Sequence, residues 1–459
     1  MRIGKVFAIS MLILFVFAGS VMAEDRVSLG FLYGSTENLD LIDRTNGAIN
    51  QVAPTCLDLD EKGNLDLTSN LTHTFVEKMH ERGLIVTPFL SNHWARQKGR
   101  RAINNAEKLS DQIVKVINDY DLDGINVDIE NLTEDDRDDL TNFVQVLRNK
   151  MPEGKLLTVC VAANPTGRED GWQGSYDYEK LGEISDYIFI MTYDEHSVGS
   201  PEGPVASNEF VENSIIYALQ YVSKDKIVMG IPFYGRYWAN DNEDYLAGQA
   251  VVIGAVPTLI SKHKGIVEYY KDVGETKATI TVNNELVECK INGEQLPDGT
   301  YTIWYQTNDD IKSKLAIVNK YDLLGCGVWA LGQEKAEVWK YFYDELNKTP
   351  RVAETEEQEV EETEVKDFEY YAAIVRSAGI ESEFEKNMKK TICKKAIEKN
   401  NLEREDKLMI NNISLRIKNS NEVRFNEKEN RKEDRKSSYD AGIVTDFKKV
   451  RRTKLEKHY

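Results

Sequence analysis

Polar side chains recur at every second position in Leu122-Asp123-Gly124-Ile125-Asn126-Val127-Asp128-Ile129-Glu130. Side chains on a strand alternate between its two faces. Asn126, Asp128 and Glu130 therefore share one face, and Ile125, Val127 and Ile129 share the other. An acidic group on a buried strand is expensive unless it is paired or put to chemical use. A neighbouring charge and burial both raise a carboxyl's proton affinity, so Glu130 at the strand's end suits a proton donor, with Asp128 as its charged neighbour. The competing reading is an edge strand with a solvated polar face. The flanking pattern, which is that of a barrel, argues against it.

From residue 27 the chain alternates short β-rich runs with longer amphipathic stretches. The spacing predicts strands at 27–33, 48–54, 84–90, 122–130, 156–162, 187–193, 227–231 and 325–330. Helices are expected at 69–82 (capped by Ser69 or Thr72), 106–120, 135–150, 178–184, 210–222 and 309–320. Parallel strands with covering helices predict an α/β fold, a (β/α)8 TIM barrel. Residues 238–304 interrupt the pattern as a small α+β insertion between strands seven and eight. Within it a helix is expected at 256–270 and strands at 277–282, 285–291 and 300–304, with turns at Asn283-Asn284 and Asn292-Gly293. A parallel barrel keeps its site at the C-terminal ends of its strands. Those ends carry Tyr33, Glu130, Tyr193 with Asp194, the run Tyr234-Gly235-Arg236, and Trp329. The third strand leads into Ser91-Asn92-His93-Trp94.

The 459 residues suffice for one large domain plus extras, and 41% hydrophobic content permits a sizeable core. A formal net charge of −19 argues against a nucleic-acid partner, which needs a basic patch. Residues 1–23 read as a secretory signal peptide: Arg2 and Lys5, an apolar run over 6–17, and Val21-Met22-Ala23 before Glu24. The barrel is expected over 24–347, an acidic linker over 348–385 and a basic tail over 386–459. The tail carries roughly ten more basic than acidic residues and few apolar ones, a composition that favours disorder. Contact with anionic wall polymers is its functional reading; a tail without such a role is the preferred one. Cys56, Cys160, Cys289, Cys326 and Cys393 are scattered, with no CxxC pair, so neither a metal site nor a cofactor is expected. Cys160 and Cys326 lie in apolar runs and read as core.

The stretch 122–130 also resembles the strand signature of glycoside hydrolase family 18, and every constrained position of that signature is met. The resemblance covers residues 27–347. It implies a barrel glycosidase in which Glu130 protonates the glycosidic oxygen and the substrate's own 2-acetamido oxygen attacks the anomeric carbon. On the same resemblance Asp128 orients the acetamido N–H, and Tyr193 donates to the acetamido oxygen. Trp329 would floor the −1 sugar subsite, and Asn126, Met191, Asp194 and Arg236 would line it. Tyr33 and Trp94 are expected to bind substrate, since aromatic faces pack on sugar C–H surfaces. Trp172 and Trp238 are further candidates for stacking.

The runs Met191-Thr192-Tyr193-Asp194-Glu195-His196 and Gly327-Val328-Trp329-Ala330-Leu331-Gly332-Gln333-Glu334 are similar to the bacterial branch of spore-cortex-lytic and wall-lytic N-acetylglucosaminidases. The implied partner is an N-acetylglucosamine-containing polysaccharide, cleaved by a secreted or wall-associated monomer. A chitinase, an endo-β-N-acetylglucosaminidase acting on N-glycans, and a non-catalytic lectin compete with this reading. Family members often carry Asp where this chain has Asn126. An amide neither shares a proton with Asp128 nor repels it, and it can donate to it. Asp128 is therefore expected to stay ionised more readily than in an Asp-bearing relative. Asn126→Asp is expected to move the acid limb of the pH–rate profile; an unchanged profile would sink the idea.

Overall fold

Short runs of β-branched and aromatic residues pair in parallel to make the frame. The computed structural model describes residues 25–34, 39–240 and 247–351. The expected signal peptide, nearly all of the linker, the basic tail and Cys393 lie outside the described residues. The frame strands are β1 (Val27–Leu32), β2 (Gln51–Pro54), β3 in two pieces (Ile85–Val86 and Phe89–Ser91), and β4 (Gly124–Asp128). They continue with β5 (Leu156–Ala162), β6 (Tyr187–Met191), β7 (Ile227–Pro232) and β8 (Gly325–Trp329). Neighbours pair in parallel, and β8 pairs with both β7 and β1. The first piece of β3 pairs with β2 and the second with β4. Pro88 interrupts β3 because it has no N–H to give. The circuit still closes there: the Thr87 N–H donates to Val52 O at 3.0 Å, and the Asn126 N–H donates to Pro88 O at 2.9 Å. The expected (β/α)8 barrel is the observed fold.

The alternation of β4 separates two cores. Ile125, Val127 and Ile129 join the outer core, which includes Leu109, Ile113 and Ile117 of helix Ala106–Asp119 and Leu140, Phe143 and Val144 of helix Arg137–Lys150. Each such side chain contributes about 1.5–3 kcal/mol on burial. A second cluster includes Leu29, Phe31, Phe89, Cys160, Phe189 and Met191, with Tyr193 and Trp329 packed against it. Asn126 and Asp128 lie between these apolar groups, buried.

The insertion holds a five-stranded antiparallel sheet, in the order Gln249–Val252, Tyr234–Ala239, Gly299–Tyr305, Glu275–Val282 and Ile266–Tyr270. It begins at Tyr234 rather than at residue 238. The helix expected over 256–270 stops at His263, because Lys264 adopts a left-handed φ of 50° and Gly265 follows. The β-branched and aromatic run after it becomes strand Ile266–Tyr270 instead. Only Lys290–Ile291 of the strand expected at 285–291 forms, in a small hairpin with Glu294–Gln295. The helix at 69–82 shortens to His73–His80, with the Thr72 side chain as its cap. Helix Arg96–Asn104 and hairpin Leu57–Leu59/Leu65–Leu67 were not expected from the sequence; the helix carries Arg96, Lys98, Arg100, Arg101 and an interior glycine, and has few apolar positions. Among the described residues no helix is long and apolar enough to cross a membrane.

Gly124 starts β4 where a Cβ would stand 2.0 Å from the Leu156 carbonyl oxygen. That contact is with backbone, so no side-chain rotation relieves it. Gly124→Ala is expected to destabilise the fold by about 3 kcal/mol, read as a lowered urea midpoint; an unchanged midpoint would contradict this close approach.

Candidate active site

The polar face of β4 runs up to the C-terminal mouth of the barrel, with Glu130 two residues beyond the last β4 residue. Met191 ends β6, and Tyr193 and Asp194 follow it. Tyr234 and Arg236 come from the first strand of the insertion, and Trp329 ends β8. The Trp329 ring centroid lies 5.2 Å from Phe31, 5.7 Å from Phe89 and 5.8 Å from Tyr33. Tyr193 packs edge-on against Tyr234 at 6.0 Å. Gly230 makes room for it, since a Cβ there would stand 2.9 Å from Tyr193 Cε1.

Asp194 is gripped from the insertion. Tyr234 Oη donates to Asp194 Oδ1 at 2.6 Å. Arg236 Nε donates to the same oxygen at 2.7 Å, and Arg236 Nη2 donates to Oδ2 at 2.8 Å. Arg236 Nη1 is also used, donating to Gly248 O at 2.6 Å. This is the two-pronged geometry that suits a guanidinium and that a lysine lacks. It also holds the left-handed backbone of Asp194, φ 63°.

Burial is the first cause of every large proton-affinity shift here. It pushes the Glu130 carboxyl well above the usual range, and the charges of Asp128 and Asp194 push it further. Burial also raises Asp128 to about 7, and the nearby Cys160 thiol offsets a part of that. The two carboxyls interact, so they titrate as a pair. The arrangement keeps a proton on Glu130 at neutral pH beside a carboxyl that can carry charge. The Tyr193 phenol is held protonated, again by burial first.

The hydrogen bond that Asn126 can donate to Asp128 is not formed. Cys160 Sγ on β5 donates to Asn126 Oδ1 at 2.9 Å. Asn126 Nδ2 and Asp128 Oδ1 have no hydrogen-bond partner. Burial is the largest effect on Asp128 and raises its proton affinity with an amide at position 126. Trp238 does not face an open cleft. It is 4% exposed and its indole donates to Ser200 O at 3.0 Å, because the loop around residue 200 covers that face of the insertion sheet.

Tyr33 and Trp94 are 56% and 50% exposed. Trp94 packs edge-on against Trp172 at 4.9 Å. The Trp172 indole donates to Tyr176 Oη at 3.0 Å, and Tyr176 Oη donates to Ile129 O at 3.0 Å. Sequence reasoning overlooked Tyr176 as a support for the segment bearing Glu130. Nothing in its local pattern marks it, since the contact spans 47 residues. The polar role of Cys160 was overlooked too, because an apolar run reads as core. Cys56, Cys160, Cys289 and Cys326 are free and buried. Among the described residues no group of three His, Cys, Asp or Glu is placed to hold a metal ion.

A family model for glycosyl hydrolases family 18 matches residues 91–334, more than half of the chain. The chain is 23% identical over 340 residues to an uncharacterized glycosylase, YvbX, of Bacillus subtilis, covering 72% of this chain and 94% of that one. It is 25% identical over 269 residues to the cortical fragment-lytic enzyme of the same organism, covering 58% of this chain and 60% of that one. Among solved structures, a chitinase from Chromobacterium violaceum superposes with a TM-score of 0.62 at 24% identity, over 70% of this chain and 99% of that one.

The charge of Asp194 contributes to the raised proton affinity of Glu130. Removing that charge stabilises the ionised form of Glu130. Asp194→Asn is therefore expected to lower the Glu130 titration midpoint, followed as the carboxyl signal by infrared or carbon NMR. A midpoint that stays put or rises would contradict the assigned coupling.

Proposed function

The chain belongs to glycosyl hydrolase family 18, and we propose that it hydrolyses β-linked N-acetylglucosamine bonds in peptidoglycan or spore cortex, with retention of configuration. The observation that carries this reading is the pair of carboxyls at the C-terminal end of β4, Asp128 buried and Glu130 half-buried two residues on, with Glu130 kept protonated by desolvation and by two neighbouring acids. Glu130 gives its proton to the glycosidic oxygen as the C–O bond breaks. The acetamido carbonyl oxygen of the −1 sugar attacks the anomeric carbon from the opposite face, giving an oxazolinium ion. Asp128 accepts a hydrogen bond from the acetamido N–H; its unpartnered Oδ1 supports this role. Ionised, it also offsets the positive charge that develops on the ring. The Tyr193 phenol donates to the acetamido oxygen, which is consistent with a buried phenol that keeps its proton. Water then attacks the anomeric carbon while Glu130, now a carboxylate, takes its proton.

Trp329 floors the −1 subsite, while Asn126, Met191, Asp194 and Arg236 shape it. Tyr33 and Trp94 offer exposed faces for further sugars. The choice of a wall polymer is supported by the likeness to the cortical fragment-lytic enzyme, of which the chain covers 60%. A leader over 1–23 would deliver the enzyme to such a substrate, with the linker and basic tail following the barrel.

Two measurements test this. Glu130→Gln is expected to lower turnover by roughly 100–10,000-fold, the usual worth of a positioned proton donor, while sugar binding persists. Mass spectrometry of products from peptidoglycan or cortex fragments, chitin oligosaccharides and a high-mannose glycopeptide distinguishes the substrates. New reducing-end N-acetylglucosamine in muropeptides is expected. Chitobiose from chitin alone would make the enzyme a chitinase, glycan release an endoglycosidase, and binding without cleavage a lectin.

A further inference from the structure

Glu130 sits beyond the last rung of its strand. The final β3–β4 pair is Ser91 with Asp128. Past it the chain after β3 turns away, with His93 and Trp94 in left-handed backbone at φ 48° and 62°. The main-chain N–H and C=O of Glu130 thereby lose their strand partner, and such groups are costly to bury unpaired. The side chain of Asn92 takes that place. The Glu130 N–H donates to Asn92 Oδ1 at 2.9 Å, and Asn92 Nδ2 donates to Glu130 O at 2.8 Å. The same Nδ2 reaches Ala95 O at 3.2 Å.

Asn92 is fully buried. A primary amide carries a donor and an acceptor side by side, as a peptide group does. Aspartate at the same length lacks the donor, and serine is too short to reach both groups. The surroundings are fitted to this amide. A Cβ on Gly99 would stand 2.8 Å from Asn92 Nδ2 and 3.1 Å from Ile129 Cγ2. The next residue, Asn131, donates its Nδ2 to Trp94 O at 2.7 Å. Arg96 in turn donates to Asn131 O at 2.6 Å and to its Oδ1 at 2.8 Å. With the Tyr176 contact to Ile129, the segment 129–131 is held at every residue.

We infer that Asn92 is a positioning residue for the proton donor: its amide acts as a surrogate strand partner that fixes the Glu130 backbone and so the reach of its carboxyl toward the leaving oxygen. This rests on the reading of Glu130 as the acid. Proton transfer needs heavy atoms within about 2.6–3.2 Å, and a misplacement of about 1 Å lowers rates roughly 100-fold. The side chain of Glu130 has three rotatable bonds. Freed at its main chain, it has no fixed origin from which to reach.

The test compares two substrates with the same N-acetylglucosamine glycone, one leaving as a sugar and one as 2,4-dinitrophenolate. The phenolate departs without a proton, so kcat/KM on it, which ends at that departure, reports on the site without the acid and without the later water attack that Glu130 assists as a base. For Asn92→Ala, kcat/KM on the sugar substrate is expected to fall on the order of 100-fold, through kcat with KM nearly unchanged, while kcat/KM on the dinitrophenyl glycoside stays nearly wild type. Asn92→Ser is expected to show the same contrast, and it serves where Asn92→Ala does not fold. Asn92→Asp keeps the acceptor, loses the donor and adds a negative charge beside Glu130, so the alkaline limb of the profile should move to higher pH. Equal losses on both substrates would mean a merely structural residue, and an unchanged sugar kcat would mean no role; either overturns the inference. Wild-type protein that cleaves neither substrate would overturn the reading of Glu130 itself, and this one with it.

Discussion

A carboxyl buried in the barrel and a second half-buried at its mouth are the constraint to which the rest of the site answers. An isolated carboxylate taken from water into a low-dielectric interior loses several kcal/mol even after relaxation. The fold meets that demand by letting the proton stay. Burial raises both Asp128 and Glu130, and their mutual repulsion keeps one of them neutral at ordinary pH. The Cys160 thiol, Asn126 and the unpartnered oxygen of Asp128 complete a polar column inside an otherwise apolar lumen. Open polar valences are tolerated at that depth where a ligand can fill them.

A third acid, Asp194, is tied by donors from another part of the chain. Arg236 and Tyr234 hold it with three hydrogen bonds. The carboxylate is thus fixed in direction, and Glu130 feels its charge. Both gripping residues belong to the insertion, which therefore helps to build the site from its first strand. A second tie runs deeper. Glu275, on a central strand of the insertion sheet, accepts from the Val205 and Ala206 N–H groups at 2.8 and 2.7 Å. Burial raises Glu275 to about 7 and lowers the nearby Lys314 to about 8. The loop between Asp194 and residue 207 is thereby pinned at one end by Arg236 and at the other by a buried carboxyl. Losing either partner would leave a charge stranded, which is far more damaging than the net worth of such a pair.

What was readable in advance followed the periodicity of the chain. The polar face of β4, the eight strands and the strand-end residues Tyr193, Asp194, Arg236 and Trp329 rest on local pattern, because strand alternation and strand ends are local properties. The misreadings share one cause. The helix expected over 256–270 was drawn through an apolar run whose backbone turns at Lys264, and a five-stranded sheet then recruits the remainder as an edge strand. Trp238 looked like a sugar platform until a loop more than thirty residues away in sequence covered it. Asn126 can donate to Asp128, but its amide leaves Nδ2 without a partner while its Oδ1 accepts from a thiol of the next strand.

The sequence by itself determined which residues are candidates for the chemistry: a strand with carboxyls on one face, followed by aromatic and charged residues at later strand ends. Side-chain type and two-residue spacing suffice for that. Only the tertiary structure decided their protonation and their orientation. Proton affinity depends on burial and on charges brought together from β4, β6 and the insertion. The place of Glu130 depends on an amide 38 residues away in sequence. Neither quantity is a property of a segment; both arise when the barrel closes.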